Sequence, residues 1–265
     1  MRFLISLERT GPSSVLPVNY QYELSSVIYR MIDSADSDFS EFLHGAGYAA
    51  FGKKYRLFVF SRLKFDQCQV IKGSDRMVHE GRKAWFEISF LIDRAAEGFI
   101  RGLFLDQGLE IGDRSGSVAY TVTQVAGQQP VLFSEWMTYR CLSPIFIRRK
   151  RPEGGEDYLH PGERDFWILL VRNLTAKQQA LALASAEGDS LNSCLPNFDY
   201  RILGKVYKNG VTIKQQTARE TKLIGYTFRF SLCLPTELHE IGYYAGFGHL
   251  GSQGFGCVEV KGGDV

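Results

Sequence analysis

Apolar and polar positions alternate over Arg2-Phe3-Leu4-Ile5-Ser6-Leu7-Glu8, which predicts a strand at the start of the chain. The period then changes. Leu24, Val27, Ile28 and Met31 recur at helical spacing, and a second, shorter helix follows. Asp38 and Glu41 read there as a capping pair, Phe39, Phe42 and Leu43 as the apolar face, and Gly45 and Gly47 as the stop. Residues 55–63, 84–92, 109–111 and 118–125 read as strands, with a helical stretch over 94–105.

The resulting order of strand, helix, strand, strand, helix, strand is the ferredoxin-like arrangement. A turn at Pro130 and a strand-like run over 136–147 lead into a second half of similar plan. Its longest helical pattern spans 165–186, a hairpin over 200–215 turns at Asn209-Gly210, a dipeptide suited to a type I′ turn, and 224–232 gives a further strand. No sequence repeat accompanies this repetition of element order. The fold class predicted is α+β, two tandem ferredoxin-like (RRM-like) domains over residues 1–129 and 130–265, closed by a C-terminal glycine-rich loop.

That loop, Gly246-Phe247-Gly248-His249-Leu250-Gly251-Ser252-Gln253-Gly254-Phe255-Gly256, carries two Gly-Phe-Gly triplets and no Lys, Arg, Asp or Glu. Glycines expose backbone amides and accept positive φ, so the segment is suited to lie against phosphate oxygens or a neighbouring helix. Gly246, Gly248 and Gly251 match a dinucleotide fingerprint by spacing, but only fourteen residues remain after Gly251, too few for the helix, strand and acidic residue that fingerprint requires. A tight structural turn is the plain alternative. The polar Ser252-Gln253 pair between the triplets favours a binding loop.

Paired Gly-hydrophobic-Gly triplets near a C-terminus resemble the glycine-rich loop of the repeat-associated RNA-binding (RAMP) superfamily. Within it the chain is similar to the CRISPR-associated endoribonucleases that cut a long precursor transcript inside each repeat. Three further segments carry the resemblance in the family's order: the N-terminal strand, Glu41-Phe42-Leu43-His44-Gly45-Ala46-Gly47-Tyr48 with Lys53 to Ser61, and Leu142-Ser143-Pro144-Ile145. The resemblance implies two tandem ferredoxin-like domains and a metal-independent cleavage by the 2′-OH that leaves a 2′,3′-cyclic phosphate and a 5′-OH. Its catalytic trio falls on Tyr29, His44 and either Lys53 or Lys54. A non-cleaving RAMP subunit that binds guide RNA architecturally is the alternative, and an RNA-unrelated ferredoxin-like binding module is a third. In one respect the chain departs from the pattern: the insert between the triplets, where Lys or Arg is frequent, reads His249-Leu250-Gly251-Ser252-Gln253.

The residues themselves suit these roles. Tyr29 lies about 140° from the apolar stripe of its helix and is predicted to face outward. His44 lies at the C-terminus of the second helix, where the dipole favours an imidazolium, and histidine is the side chain that titrates nearest neutrality. It serves as principal acid or base, with Tyr29 transferring a proton or orienting the 2′-OH and a lysine stabilising charge on phosphorus. One of Lys53 and Lys54 is then a solvated surface residue. Arg30 and Arg56 flank this site. RNA contacts are assigned to Arg148, Arg149 and Lys150, to Lys205, Tyr207, Lys208 and Lys214 on the hairpin, and to Gly246, Gly248, His249, Gly254 and Gly256 of the loop. His79, His160 and His239 read as structural.

Composition adds boundaries. A net charge of +2 is too small to announce nucleic-acid binding by itself, so the local clusters carry that argument. Five widely spaced cysteines without a Cys-x-x-Cys pair and five histidines without ligand spacing predict neither a disulfide scaffold nor a protein-bound metal, and no cofactor. The first residues lack the apolar core of a signal peptide, and a cytoplasmic protein without a membrane segment is expected. The partner implied is CRISPR repeat precursor RNA, with other effector-complex subunits and a homodimer left open.

Overall fold

The computed structural model describes residues 1–185, 195–213 and 220–262. The chain is α+β, with five α-helices among the described residues: α1 (Gln21–Ala35), α2 (Ser37–His44), α3 (Asp93–Leu105), α4 (Arg164–Ala184) and α5 (Thr236–Ala245). None is long and apolar enough to cross a membrane.

In the N-terminal half an antiparallel sheet runs in the order Gly108–Asp113, Gly116–Gly127, Arg2–Arg9, Lys83–Phe90, Phe58–Phe60. The alternation seen in sequence buries Ile5 and Leu7 against Leu24, Ile28 and Ile32 of α1 and Phe99 and Leu103 of α3. Glycines let these two helices cross closely. A Cβ on Gly102 would strike the backbone of Met31, so the crossing requires a residue without one. The second sheet runs Asp199–Ile213, Thr221–Cys233, Trp136–Cys141, Val258–Val260. Tyr139, Phe230 and Leu232 pack there with Phe166, Trp167, Leu170 and Leu174 of α4.

Four local expectations are corrected. The N-cap of α2 is Asp36 rather than Asp38: its carboxylate accepts from Phe39 N and is clamped by Arg94 at 2.7 Å. The run over 55–63 is broken, because Leu57 takes a left-handed φ of 54° between the strands Lys53–Tyr55 and Phe58–Phe60. The run over 136–147 leaves its sheet after Cys141, where Leu142 and Ser143 both donate to Cys257 O. Asn209-Gly210 makes no turn. The strand Asp199–Ile213 passes straight through it, with Asn209 opposite Gly225 and its amide held by Tyr207 O and Thr227 Oγ1. Those side-chain bonds satisfy the asparagine inside the ladder, so the dipeptide's turn preference is overridden.

The halves pack directly on one another. Arg2 is buried, bonds Glu87 at 2.8 Å and covers the ring of Tyr243 on α5 at 4.4 Å. Arg62 bonds Asn209 across the same junction at 3.0 Å. Helix α4 rests on the strand Tyr48–Ala50, and the turn at Gly251–Gln253 rests on Phe58–Phe60. The glycine-rich loop is therefore a wedge between the halves.

Candidate active site

A groove of about 810 Å³ opens along this junction. Its N-terminal wall is built by α1, the end of α2 and the hairpin of Tyr48–Ala50 with Lys53–Tyr55; its C-terminal wall comes from α4, Arg148 and the loop residues 248–253.

Helix α2 delivers His44 to this groove as its last residue. Beyond it the chain reverses, with Gly45 N donating to Glu41 O, Gly47 N to Phe42 O, and Gly47 at φ 57°. A side chain on Gly47 would press on Tyr55 O at 3.1 Å, so the return to the hairpin needs glycine. The freed carbonyls receive cations: Lys54 Nζ donates to Gly45 O, and Arg56 Nη2 donates to His44 O at 3.1 Å. Positive groups at a helix C-terminus complement its dipole and fix the histidine's backbone. The His44 side chain itself is exposed.

Tyr29 comes from α1 and meets His44 ring to ring, centroids 4.4 Å apart and planes 34° from parallel. It points away from the apolar stripe but is only half open, because Phe58 packs edge-on against it at 5.5 Å and the loop closes over it. Burial raises the phenol's pKa, which hydrogen bonds with the Ser252 and Arg56 side chains partly offset. Tyr29 is thus a neutral phenol at physiological pH. Ser25 Oγ on the same helix donates to Ser252 O at 2.6 Å, a second tie between α1 and the loop.

Arg30, Lys53, Lys54, Arg56 and Arg148 line the groove with these rings. Other sequence-assigned residues do not. Arg149 is exposed and paired with Asp165 at 2.7 Å and Asp157 at 3.6 Å, and Lys150 is exposed beside it. Arg148 is bonded to Glu156 at 2.7 Å, so acids of the neighbouring strand Glu156–Tyr158 temper this basic run. Lys205 and Tyr207 line a separate surface groove with Arg140 and Arg229, and Lys208 is exposed on the same strand. Lys214 lies outside the described residues. His79 and His239 are buried between hydrogen-bond partners, and His160 Nδ1 accepts from Gly162 N.

The glycines of the loop are packing residues. Gly246, Gly248, Gly254 and Gly256 are buried, with φ between 81° and 89°. A Cβ would meet Val59 at Gly246, Phe146 O at Gly248, the Phe60 ring at Gly254 and the Phe247 backbone at Gly256. Phe247 N bonds Gly256 O and Gly256 N bonds Pro144 O, so the two triplets are stitched to each other and to the 142–145 segment. The loop presents Gly248 and its insert, His249 to Gln253, to the groove. His249 carries no charge there: burial, then Lys53, Arg148 and Lys177, push its pKa down to about 4.

Two residues of the C-terminal wall were not singled out from the sequence. Lys177 of α4 is buried, 4% exposed, and its Nζ donates to the carbonyls of Ala245 and Gly248, each at 3.1 Å, and to that of Gly246. Burial pulls its pKa down to about 7. Asn173, one turn earlier, is 5% exposed and also lines the groove. The signal was present: Phe166, Leu170, Asn173, Lys177 and Ala180 form one helical stripe, and two polar residues on an apolar stripe mark a buried polar site.

Two family models cover most of the chain: the Cas6 N-terminal model matches residues 15–125 and the Cas6 C-terminal model residues 128–260. The CRISPR-associated endoribonuclease Cas6 1 of Methanocaldococcus jannaschii is 28% identical over 262 residues, 97% of this chain and 92% of that protein. The CRISPR-associated endoribonuclease Cas6 of Pyrococcus furiosus is 28% identical over 268 residues, 99% and 90% respectively. A solved Cas6-related structure from Pyrococcus furiosus superposes with a TM-score of 0.79 at 21% identity, covering 98% of each chain, a likeness of fold. The matched models and the full-length relatives place the chain in the Cas6 family of CRISPR-associated RAMP endoribonucleases.

Proposed function

We propose that this protein cuts CRISPR precursor RNA within its repeats by metal-independent attack of a 2′-OH on the adjacent phosphate, leaving a 2′,3′-cyclic phosphate and a 5′-OH. The observation that carries the reading is the Tyr29–His44 ring pair, 4.4 Å between centroids, at a groove rimmed by lysine and arginine. In the proposed reaction the 2′-oxygen bonds to phosphorus as the bond to the 5′-oxygen breaks. A proton leaves the 2′-OH and a proton reaches the 5′-oxygen, and His44 handles one of these transfers as base or acid. Tyr29, kept neutral by burial, orients the 2′-OH or a phosphate oxygen by donating a hydrogen bond. Lys53 supplies positive charge to the phosphoryl oxygens, since Lys54 is committed to Gly45 O.

The strand orders of the two sheets support reading residues 1–129 and 130–265 as tandem ferredoxin-like domains: in each, the first strand lies between the third and the last. The protein works in the cytoplasm, holds its product as a guide for effector subunits, and binds RNA through Arg148 at the groove and, beyond it, through the strand carrying Lys205, Tyr207 and Lys208. The test is cleavage of the host's repeat RNA in EDTA by the native chain and by His44→Ala, with a 2′-deoxy control at the cut site. Cleavage at one site that needs the 2′-OH and collapses in the variant is expected. Tight binding without cleavage would make the protein an architectural RNA-binding subunit instead.

A further inference from the structure

Beside the main groove lies a second cavity of about 620 Å³, and Lys53, Tyr55, Arg148, Asn173 and His249 line both. Three buried polar atoms on this shared wall have no hydrogen-bond partner within the protein: Asn173 Oδ1, Tyr55 OH and His249 Nδ1. Asn173 and Tyr55 are 5% and 8% exposed, so a partner meets them only from the cavities that they line. Buried polar groups are nearly always paired, and three orphans converging from both halves on one cavity indicate a ligand that pairs them. His249 is neutral there, so its ring offers one donor and one acceptor rather than a charge.

Phe51 also lines this cavity. It stands at the tip of the hairpin with φ 50°, followed by Gly52 at φ 70°, and is 68% exposed. A bulky aromatic residue at positive φ is a costly choice where asparagine would serve, and exposing its ring adds to the cost. Phe51 and the residues that carry the orphaned polar atoms line the same cavity. We propose that one unpaired nucleobase of the RNA docks here, stacked on Phe51 and hydrogen-bonded along its edge by Asn173, Tyr55 and His249, one step from the reacting phosphate. An aromatic face joined to amide, phenol and neutral imidazole groups suits a flat, edge-polar ring, and Lys53 and Arg148 at the rim suit its flanking phosphates. This site deepens the RNA-cleavage reading and rests on it.

The test is a scan of the host's repeat RNA with single abasic positions, measuring the dissociation constant for the native chain, Phe51→Asn and Asn173→Ala. Asparagine accepts left-handed φ, so Phe51→Asn keeps the turn and removes only the ring. Near the cut site, one position is expected at which base removal weakens native binding about 10- to 100-fold, with little further loss in either variant. Phe51→Trp should restore sensitivity at that position. Normal cleavage by the native chain with abasic and Phe51→Asn losses that simply multiply at every position would overturn the pocket and leave the nuclease standing. Failure of the native chain to bind or cut repeat RNA would overturn both.

Discussion

Lys177→Met isolates the buried cation at the loop. In the folded chain burial holds the lysine's pKa near 7, against 10.5 for the free side chain. The folded state therefore binds this proton less tightly than the unfolded state. Below about pH 7 both states hold it, and above about 10.5 neither does; between those limits the unfolded chain binds more protons, so stability rises with pH. At about 1.4 kcal/mol per pH unit the full gap is worth about 5 kcal/mol, and about 2–3 kcal/mol between pH 7 and 9. The three carbonyls on Nζ favour the ammonium, so these figures are ceilings.

Methionine has similar length and no charge, so this pH-dependent contribution vanishes in the variant. Urea unfolding of both chains at pH 7, 8 and 9 gives the native-minus-variant difference in unfolding free energy, in which groups not coupled to Lys177 cancel; His249, whose pKa is pushed down by burial and then by nearby cations including Lys177, titrates below this range. That difference should grow with pH. A flat difference, constant to within about 0.5 kcal/mol, would refute a buried, proton-shedding Lys177, whatever the absolute stability of the variant.

His44→Ala should lower cleavage by about 10²- to 10⁴-fold in single-turnover assays while RNA affinity and Tm hold, because the side chain is exposed and supports no core; Tyr29→Phe keeps the ring pair and should lose about 10-fold or more through the phenol alone. Lys53→Ala should cost cleavage, whereas Lys54→Ala should chiefly loosen the end of α2, seen as faster hydrogen exchange at Gly45 and Gly47. Gly256→Ala places a Cβ on the Phe247 backbone at φ 81° and should destabilise the chain by more than about 2 kcal/mol in denaturant. Arg148 lies in the groove but is paired to Glu156, so Arg148→Ala should reduce the slope of log affinity against log salt by up to about 1, while Arg149 lies outside the groove and is paired to both Asp165 and Asp157, so Arg149→Ala should leave it nearly unchanged.

The sequence made legible what depends on period and on local chemistry. Alternation over residues 2–8 and the α1 stripe placed the first strand and the helix that carries Tyr29, and the stop after Leu43 placed His44 at a helix end. The failures have tertiary causes. Leu57 breaks a run that alternates well, because the chain must leave the hairpin to join the sheet beside Lys83–Phe90. Asn209-Gly210 has the chemistry of a turn, but its asparagine is satisfied by Thr227 and Arg62, partners that exist only after folding. The acids that pair with the basic run at 148–151, Glu156, Asp157 and Asp165, come together with it only in the fold, so the charge left for a partner could not be read from the run itself.

The glycine-rich loop shows why a segment can be recognised before its role is understood. Two triplets of glycine around an uncharged insert suggested amides offered to phosphate, yet the structure spends those glycines on close packing between the halves. The wedge touches both walls: Lys177 gathers the carbonyls at the start of the loop, and Ser252 in its insert bonds the phenol of Tyr29 and accepts from Ser25. Lys177 on α4 is thereby linked to the proposed orienting phenol on α1 through a loop that touches both. If that linkage holds, Lys177→Met should slow cleavage at saturating RNA more than it weakens binding, since the groove's outer cations stay in place while the tie on Tyr29 slackens. A loss confined to RNA affinity would mean that the wedge only holds the halves together.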